Sequence, residues 1–144
     1  MIRWSDLLRR KRVISFTDKT RFLFMIQKGK GGTEFRNQPY IVNEPIGSAE
    51  RPIPFPNMIY IGDGASDIPA MSLLTASQGF VIGVLNTSKP YRTWALGYRR
   101  RANITVPPDY DSEGHAYAQL RQAATEIADR IRHHLTVPGP LPGF

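Results

Sequence analysis

The sequence has 144 residues, of which 41% are hydrophobic and 22% charged, a composition typical of one globular domain. It contains no cysteine, which excludes a disulfide framework, a thiolate zinc site and a cysteine nucleophile. No apolar run approaches the roughly 20 residues that span a bilayer, and the first residues lack the pattern of a secretory signal. We therefore expect a cytoplasmic protein that does not enter the membrane.

The net charge is +7, from 19 lysines and arginines against 12 aspartates and glutamates. Much of the positive charge lies in two runs, residues 9–12 and 99–101. Such runs can attract nucleic acid or phosphorylated ligands. No base-stacking platform or helix-turn-helix pattern accompanies them, so we interpret the runs as solvated helix surface.

The first part of the chain is predicted to contain a leader, one strand and one helix. Residues 1–12 form the leader, and the core domain extends over residues 13–135. The β-branched segment "VISFT" at residues 13–17 predicts a strand. The segment "DKTRFLFMIQKG" predicts a helix with Asp18 as its N-cap and Gly29 at its end. Residues 30–56 are rich in glycine, proline and asparagine and predict a long loop.

The second part alternates apolar strands with helices. Strands are predicted at residues 58–61, 80–85 and 103–106, and helices at residues 66–76, 90–100 and 114–135, before a flexible tail at residues 136–144. The last helix is predicted to bury one face, consisting of Tyr117, Leu120, Ala124, Ile127 and Ile131. Glu126 and Arg130 lie four residues apart on another face and are predicted to pair. Apolar strands that alternate with helices predict an α/β domain with a short parallel sheet.

The segment "NMIYIGDGASDIPAM" ends a predicted strand in a glycine-lined acidic turn. Asp63 would leave the tip of the strand, and Asp67 would begin the next helix. In parallel sheets, ligands bind beyond the carboxyl ends of the strands. Two carboxylates at this spacing can hold a hard cation such as Mg²⁺, which keeps several of its waters. The alternative is that Asp67 only caps the helix and Asp63 only stabilises the turn.

The segment "MIYIGDGASDIPAM" resembles the fourth motif of haloacid dehalogenase (HAD) superfamily phosphatases, in the phosphoserine-phosphatase-like branch. The upstream "TDKTRFLFMIQKG" is similar to the third motif of that family, and the likeness extends over about residues 13–131. The resemblance implies a Rossmannoid domain and a Mg²⁺-dependent phosphatase that acts on a phosphorylated small molecule. It implies that Asp63 ligates Mg²⁺ directly and that Asp67 acts through a water. It also implies that Lys19 offsets the charge of the nucleophile and the phosphate.

The sequence departs from the family at the nucleophile. The family uses an aspartate in an Asp-x-Asp-x-Thr/Val motif on the central strand, which precedes the third motif. Upstream of Lys19 the aspartates are Asp6 and Asp18, and neither begins an Asp-x-Asp motif, so the resemblance is to a partial domain that lacks the nucleophile strand and the cap. Asp109-Tyr110-Asp111 would serve only in a circular permutation, and Glu113 occupies the position of the expected Thr or Val.

Three interpretations of the function remain open. The chain is the C-terminal part of a phosphohydrolase, inactive alone and weak in Mg²⁺ binding. Alternatively, it is one half of a split enzyme, completed by an N-terminal partner. In the third interpretation it is a non-catalytic basic module that binds nucleic acid or an acidic partner. Without the central strand, residues 58–61 would form an exposed sheet edge, which could pair with the missing half or with a second copy.

Overall fold

The computed structural model describes residues 15–32, 37–85 and 101–136. Within them lie α1 (Phe16–Gln27), β1 (Ile59–Gly62), α2 (Ile68–Ala76), β2 (Phe80–Val84), β3 (Ile104–Val106) and α3 (His115–Thr136). The three strands form one parallel sheet in the order β1-β2-β3. The predicted α/β class with a short parallel sheet and flanking helices is therefore confirmed. In these ranges no helix is both long and apolar enough to cross a membrane.

Several predicted features fall outside the described residues. They are the leader at residues 1–12, the helix at residues 90–100, the tail beyond residue 136, the run at residues 9–12 and all but Arg101 of the run at residues 99–101. The predicted strand at residues 13–17 falls partly outside. For residues 15–17, which the structure describes, the prediction of a strand is wrong, because Ser15 is a helix N-cap and Phe16 begins α1.

Helix α1 is closed at both ends by local hydrogen bonds. The Ser15 hydroxyl accepts from the Asp18 amide at 3.3 Å, and the Asp18 carboxylate accepts from the Ser15 amide at 3.0 Å. This reciprocal capping box makes Ser15 the N-cap and places Asp18 three residues later, so the prediction of Asp18 as the N-cap is wrong. The capping box outweighs the β propensity of the segment. At the other end Gly29 adopts a φ of 63°, and the Lys30 amide donates to the Met25 carbonyl. Gly29 therefore ends the helix as predicted, in a Schellman motif.

The predicted long loop folds back onto α1. It contains three short 3₁₀ turns, Pro39–Asn43, Ser48–Glu50 and Phe55–Asn57. The Lys28 ammonium donates to the carbonyls of Val42 and Glu44 at 2.5 and 2.6 Å. Ile41 and Val42 are buried against Met25. The described part of this loop, which leaves out residues 33–36, is therefore anchored to the helix.

The sheet separates two apolar clusters. On one face, α1 and α2 pack around Val81 together with Phe55 and Met58. On the other face, Ile82 and Val106 contact α3 through Ala116. Because neighbouring residues of a strand point to opposite faces, the central β2 is apolar throughout, as predicted. The result is a three-layer arrangement compatible with a Rossmann-like fold.

Strand β1 lies at an edge of the described sheet. It pairs with β2 through Ile61↔Ile82 and Gly62↔Gly83, and no other described strand contacts it. The prediction of a buried strand is wrong for Ile61, whose side chain is 40% exposed. The prediction that this strand would be an open edge agrees with the strand order of the described residues.

Helix α3 has the predicted extent within one residue, but not the predicted face. The helix rests on Ala116 and Ala123, which are 2% and 1% exposed, whereas Tyr117 and Ile131 are 39% and 40% exposed. Ala124 is also exposed. The buried residues Ala116 and Ala123 each lie one position before a residue of the predicted face, Tyr117 and Ala124. Their small side chains let the helix approach the sheet more closely. The predicted face is therefore wrong for Tyr117, Ala124 and Ile131.

Candidate functional site at the carboxyl end of β1

The acidic turn begins where β1 ends. Gly62 is the last residue of the strand, and Asp63 follows it with an exposed side chain. Ala65–Asp67 forms a single 3₁₀ turn, and α2 begins directly afterwards at Ile68. Asp67 thus stands one residue before the helix, close to its predicted position. The turn lies at the sheet end where parallel folds bind ligands.

Asp67 is a buried carboxylate whose two oxygens both accept hydrogen bonds. The residue is only 4% exposed. Its Oδ1 accepts from the Lys19 ammonium at 2.6 Å and from the Tyr60 hydroxyl at 2.5 Å. Its Oδ2 accepts from the Gly64 amide at 2.9 Å. Such a set of donors is what a buried charge requires, because an unpaired carboxylate in this position would be strongly destabilising.

Lys19 reaches this carboxylate from the first half of α1. Its Nζ also donates to the Ser66 hydroxyl at 2.8 Å, and its side chain is 26% exposed. Sequence reasoning placed Lys19 and Asp67 at a common site only through the family resemblance. The structure brings the two side chains into contact although 48 residues separate them. Their roles in catalysis stay predictions.

The surroundings of Asp67 favour its charged form. Burial raises the pKa of the Asp67 carboxyl. Hydrogen bonds from Lys19, Tyr60 and the Gly64 amide, together with the Lys19 charge, lower it by more. The net pKa therefore lies below the ordinary aspartate value of 3.8. Asp67 is an ionised anchor for the Lys19 cation at neutral pH.

Gly62 allows the strand to end directly against Asp67. A Cβ built at Gly62 would lie 2.8 Å from the Asp67 Cβ and 2.8 Å from the Met71 Cε. Real Cβ atoms essentially never approach other atoms so closely, so a larger residue would displace the carboxylate or the methionine. The glycine is therefore needed here for space.

The two predicted metal residues differ in availability. The Asp63 carboxylate is exposed at the strand end, whereas the Asp67 oxygens already accept three hydrogen bonds. These three bonds leave one lone pair, on the Asp67 Oδ2, and the residue is only 4% exposed, so a cation has little access to it. Within residues 15–32, 37–85 and 101–136 no group of three or more acidic, histidine or cysteine side chains is placed to hold a metal ion. Asp63 is thus the carboxylate of this turn that a cation could reach.

Sequence reasoning missed Tyr60 and the contact of Ser66 with Lys19. A tyrosine in an otherwise apolar strand is a usable signal, because a half-buried hydroxyl needs a hydrogen-bond partner.

The Asp109-Tyr110-Asp111 segment follows β3, which β2 separates from β1. The Asp109 carbonyl accepts from the Ala116 amide at 3.1 Å at the start of α3. This segment therefore adjoins a different strand from the one that leads to Asp67.

Comparison with known proteins does not show a family for this chain. No protein-family model and no solved structure matches the chain. An uncharacterized protein of Borreliella burgdorferi is 39% identical over 61 residues, which is 42% of this chain. The matched segment spans only 19% of that relative.

Proposed function

We propose that this chain supplies the metal- and cation-bearing part of a HAD-like phosphomonoesterase site. The observation that supports the proposal is the Lys19–Asp67 pair, which joins a buried aspartate to a half-buried lysine beside the Gly-Asp-Gly turn at the carboxyl end of a parallel strand. In this proposal Asp63 ligates Mg²⁺, and Lys19 offsets the negative charge of the phosphoryl group. Asp67 holds Lys19 in place and acts on the metal only through a water.

The fit of Mg²⁺ to the site is partial. Mg²⁺ prefers oxygen ligands, retains several waters and often uses only one or two carboxylates, so the exposed Asp63 is a suitable ligand. When bound, the ion would polarise the phosphoryl oxygens. The chain's own residues would orient the substrate: Lys19 by its charge, and Asp67 by holding Lys19. Binding by this chain alone is expected to be weak, because one direct carboxylate ligand is assigned.

The attacking aspartate of the family has no counterpart at the matching position. The proposal therefore includes a second segment that carries the Asp-x-Asp-x-Thr strand. Among the described strands β1 has no neighbour on its outer side, which favours this form of the proposal, in which the chain is the complementing half of an enzyme. A parallel strand placed beside β1 would bring its own carboxyl end next to Asp63, because parallel strands end at the same edge of a sheet.

Phosphate release from p-nitrophenyl phosphate with Mg²⁺ tests the proposal. The chain alone is expected to show no turnover, and adding a family N-terminal segment with the nucleophile strand is expected to produce it. Asp63→Asn and Lys19→Met should each reduce that turnover by about 10²-fold or more, the usual effect of losing one electrostatic contact in the transition state. Asp129→Asn and Arg132→Met, at an exposed ion pair, serve as controls and should leave it unchanged.

A Mg²⁺ titration of the chain alone, followed by backbone amide NMR, tests the metal role without the added segment. Shifts are expected at residues 62–67, and they should disappear in Asp63→Asn but persist in Asp129→Asn. A chain without such shifts would contradict the metal role. Turnover by the chain alone that Asp109→Asn abolishes would instead support the permuted arrangement.

A further inference from the structure

Tyr60 and Lys19 donate to the same oxygen of Asp67. The Tyr60 hydroxyl lies 2.5 Å from Oδ1, and the Lys19 Nζ lies 2.6 Å from it. The other oxygen accepts from the Gly64 amide at 2.9 Å. A carboxylate oxygen has two lone pairs, so Oδ1 can accept both donors at once. The two donors are therefore linked through one atom.

The two donors differ in rigidity. Tyr60 stands in β1, and its half-buried ring packs against the core cluster around Met71 and Val81. Two torsions fix the position of its hydroxyl once the ring is packed. Lys19 carries its ammonium on a flexible four-carbon stem that is 26% exposed. The rigid donor therefore determines where Oδ1 lies, and Oδ1 then determines where the ammonium lies.

We propose that Tyr60 is a positioning residue, whose hydroxyl fixes the Asp67 carboxylate so that Oδ1 holds the Lys19 ammonium beside Ser66. The role of this ammonium toward a phosphoryl group rests on the proposed function, but the positioning itself does not. Without the hydroxyl, Asp67 keeps Gly64 and Lys19 as donors. The carboxylate can then rotate about its Cβ–Cγ bond, and the ammonium follows it toward solvent.

Tyr60→Phe tests this inference, because it removes the hydroxyl and keeps the packed ring. Two NMR measurements are made on the whole chain, without Mg²⁺ or phosphate. The Asp67 carboxyl carbon should titrate at a higher pH than in the unsubstituted chain. Hydrogen exchange of the Lys19 ammonium should accelerate about tenfold, the factor expected when one hydrogen bond to a charged group is lost.

Tyr110→Phe is the matched control, since Tyr110 is 53% exposed. It should change neither measurement. An Asp67 titration and a Lys19 exchange rate in Tyr60→Phe that equal those of the control would overturn the inference. In the unsubstituted chain, the Tyr60 hydroxyl proton should give a slowly exchanging signal that Asp67→Asn abolishes. A missing signal would contradict the inference even if Tyr60→Phe failed to fold. Because neither readout involves phosphatase turnover, failure of the proposed function would leave this result interpretable.

Discussion

Lys19 and Arg132 each form an ion pair with an aspartate, in opposite environments. The Lys19–Asp67 pair has side chains 26% and 5% exposed, whereas those of Arg132–Asp129 are 74% and 61% exposed. Removing one partner of a buried pair leaves a desolvated charge, so Lys19→Met should lower the free energy of unfolding by about 3 kcal/mol. Arg132→Met should change it by less than about 1 kcal/mol. Urea denaturation at neutral pH measures both, and equal losses would contradict the burial argument.

The lowered pKa of Asp67 makes part of the stability dependent on pH. Since the folded pKa lies below the unfolded value, the carboxylate stabilises the fold above about pH 3.8, and this contribution is lost as the pH falls through the folded pKa. Asp67→Asn should therefore be less stable at neutral pH and should lose less stability on acidification. Asp129→Asn should retain the acid dependence. Identical acid profiles for the unsubstituted chain and Asp67→Asn would contradict this prediction.

Only part of this cluster could be predicted from the sequence. The strand–glycine–aspartate pattern placed Asp63 and Asp67 correctly along the chain, because strand and helix signals are local. The contact of Lys19 with Asp67 joins residues 48 positions apart, and no local pattern specifies such a pairing. Tyr60 was missed because the period of a strand gives the face of a side chain but not the partner of its hydroxyl.

At the level of elements, the junction between β1 and α2 depends on the missing side chain of Gly62. In Gly62→Ala the added Cβ would lie 2.7 Å from the Asp67 Cγ, so the carboxylate or Met71 must shift. We expect a loss of about 1–3 kcal/mol in the free energy of unfolding, as in other overpacked cores. Gly31→Ala is the control, because nothing lies within 4 Å of a Cβ there. Thermal unfolding of both variants measures the difference. A Gly62→Ala chain as stable as Gly31→Ala would show that the junction has room.

The errors in predicting the elements have physical causes. Residues 13–17 look like a strand by propensity, yet Ser15 and Asp18 satisfy the first amides of α1 and start a helix there. The buried face of α3 was predicted from its large apolar residues, but Ala116 and Ala123 make the close contact. The strand at 80–85 was predicted correctly because it is a continuous apolar run that begins directly after Gly79, and the strand at 103–106 because it consists largely of β-branched residues. Propensity and periodicity do not include these end contacts and close approaches.

At the scale of the molecule, the edge that β1 leaves open in the described sheet predicts self-association. Within the described residues β1 pairs only with β2, and Ile61 is 40% exposed on this edge strand. Unprotected edges pair with other chains, and a lysine on the edge opposes this. Ile61→Lys should therefore lower the mean mass seen by sedimentation velocity at high concentration, whereas Ile53→Lys, at a loop residue 42% exposed, should not. An unsubstituted chain that remains monomeric as its concentration rises would contradict the prediction.

The long separation between Lys19 and Asp67 also has a consequence for the order of folding. The β1–α2–β2 unit occupies only residues 59–84, so its contacts close short stretches of chain, whereas docking of α1 must close a stretch of 48 residues. We expect the compact unit to form before the rate-limiting barrier and α1 to dock after it. Lys19→Met, which leaves the bonds of Asp67 to Tyr60 and Gly64 in place, should then accelerate unfolding and leave the refolding rate nearly unchanged in stopped-flow denaturant jumps. The ion pair would then chiefly slow unfolding, and it would determine the lifetime of the folded chain more than the rate at which the chain folds.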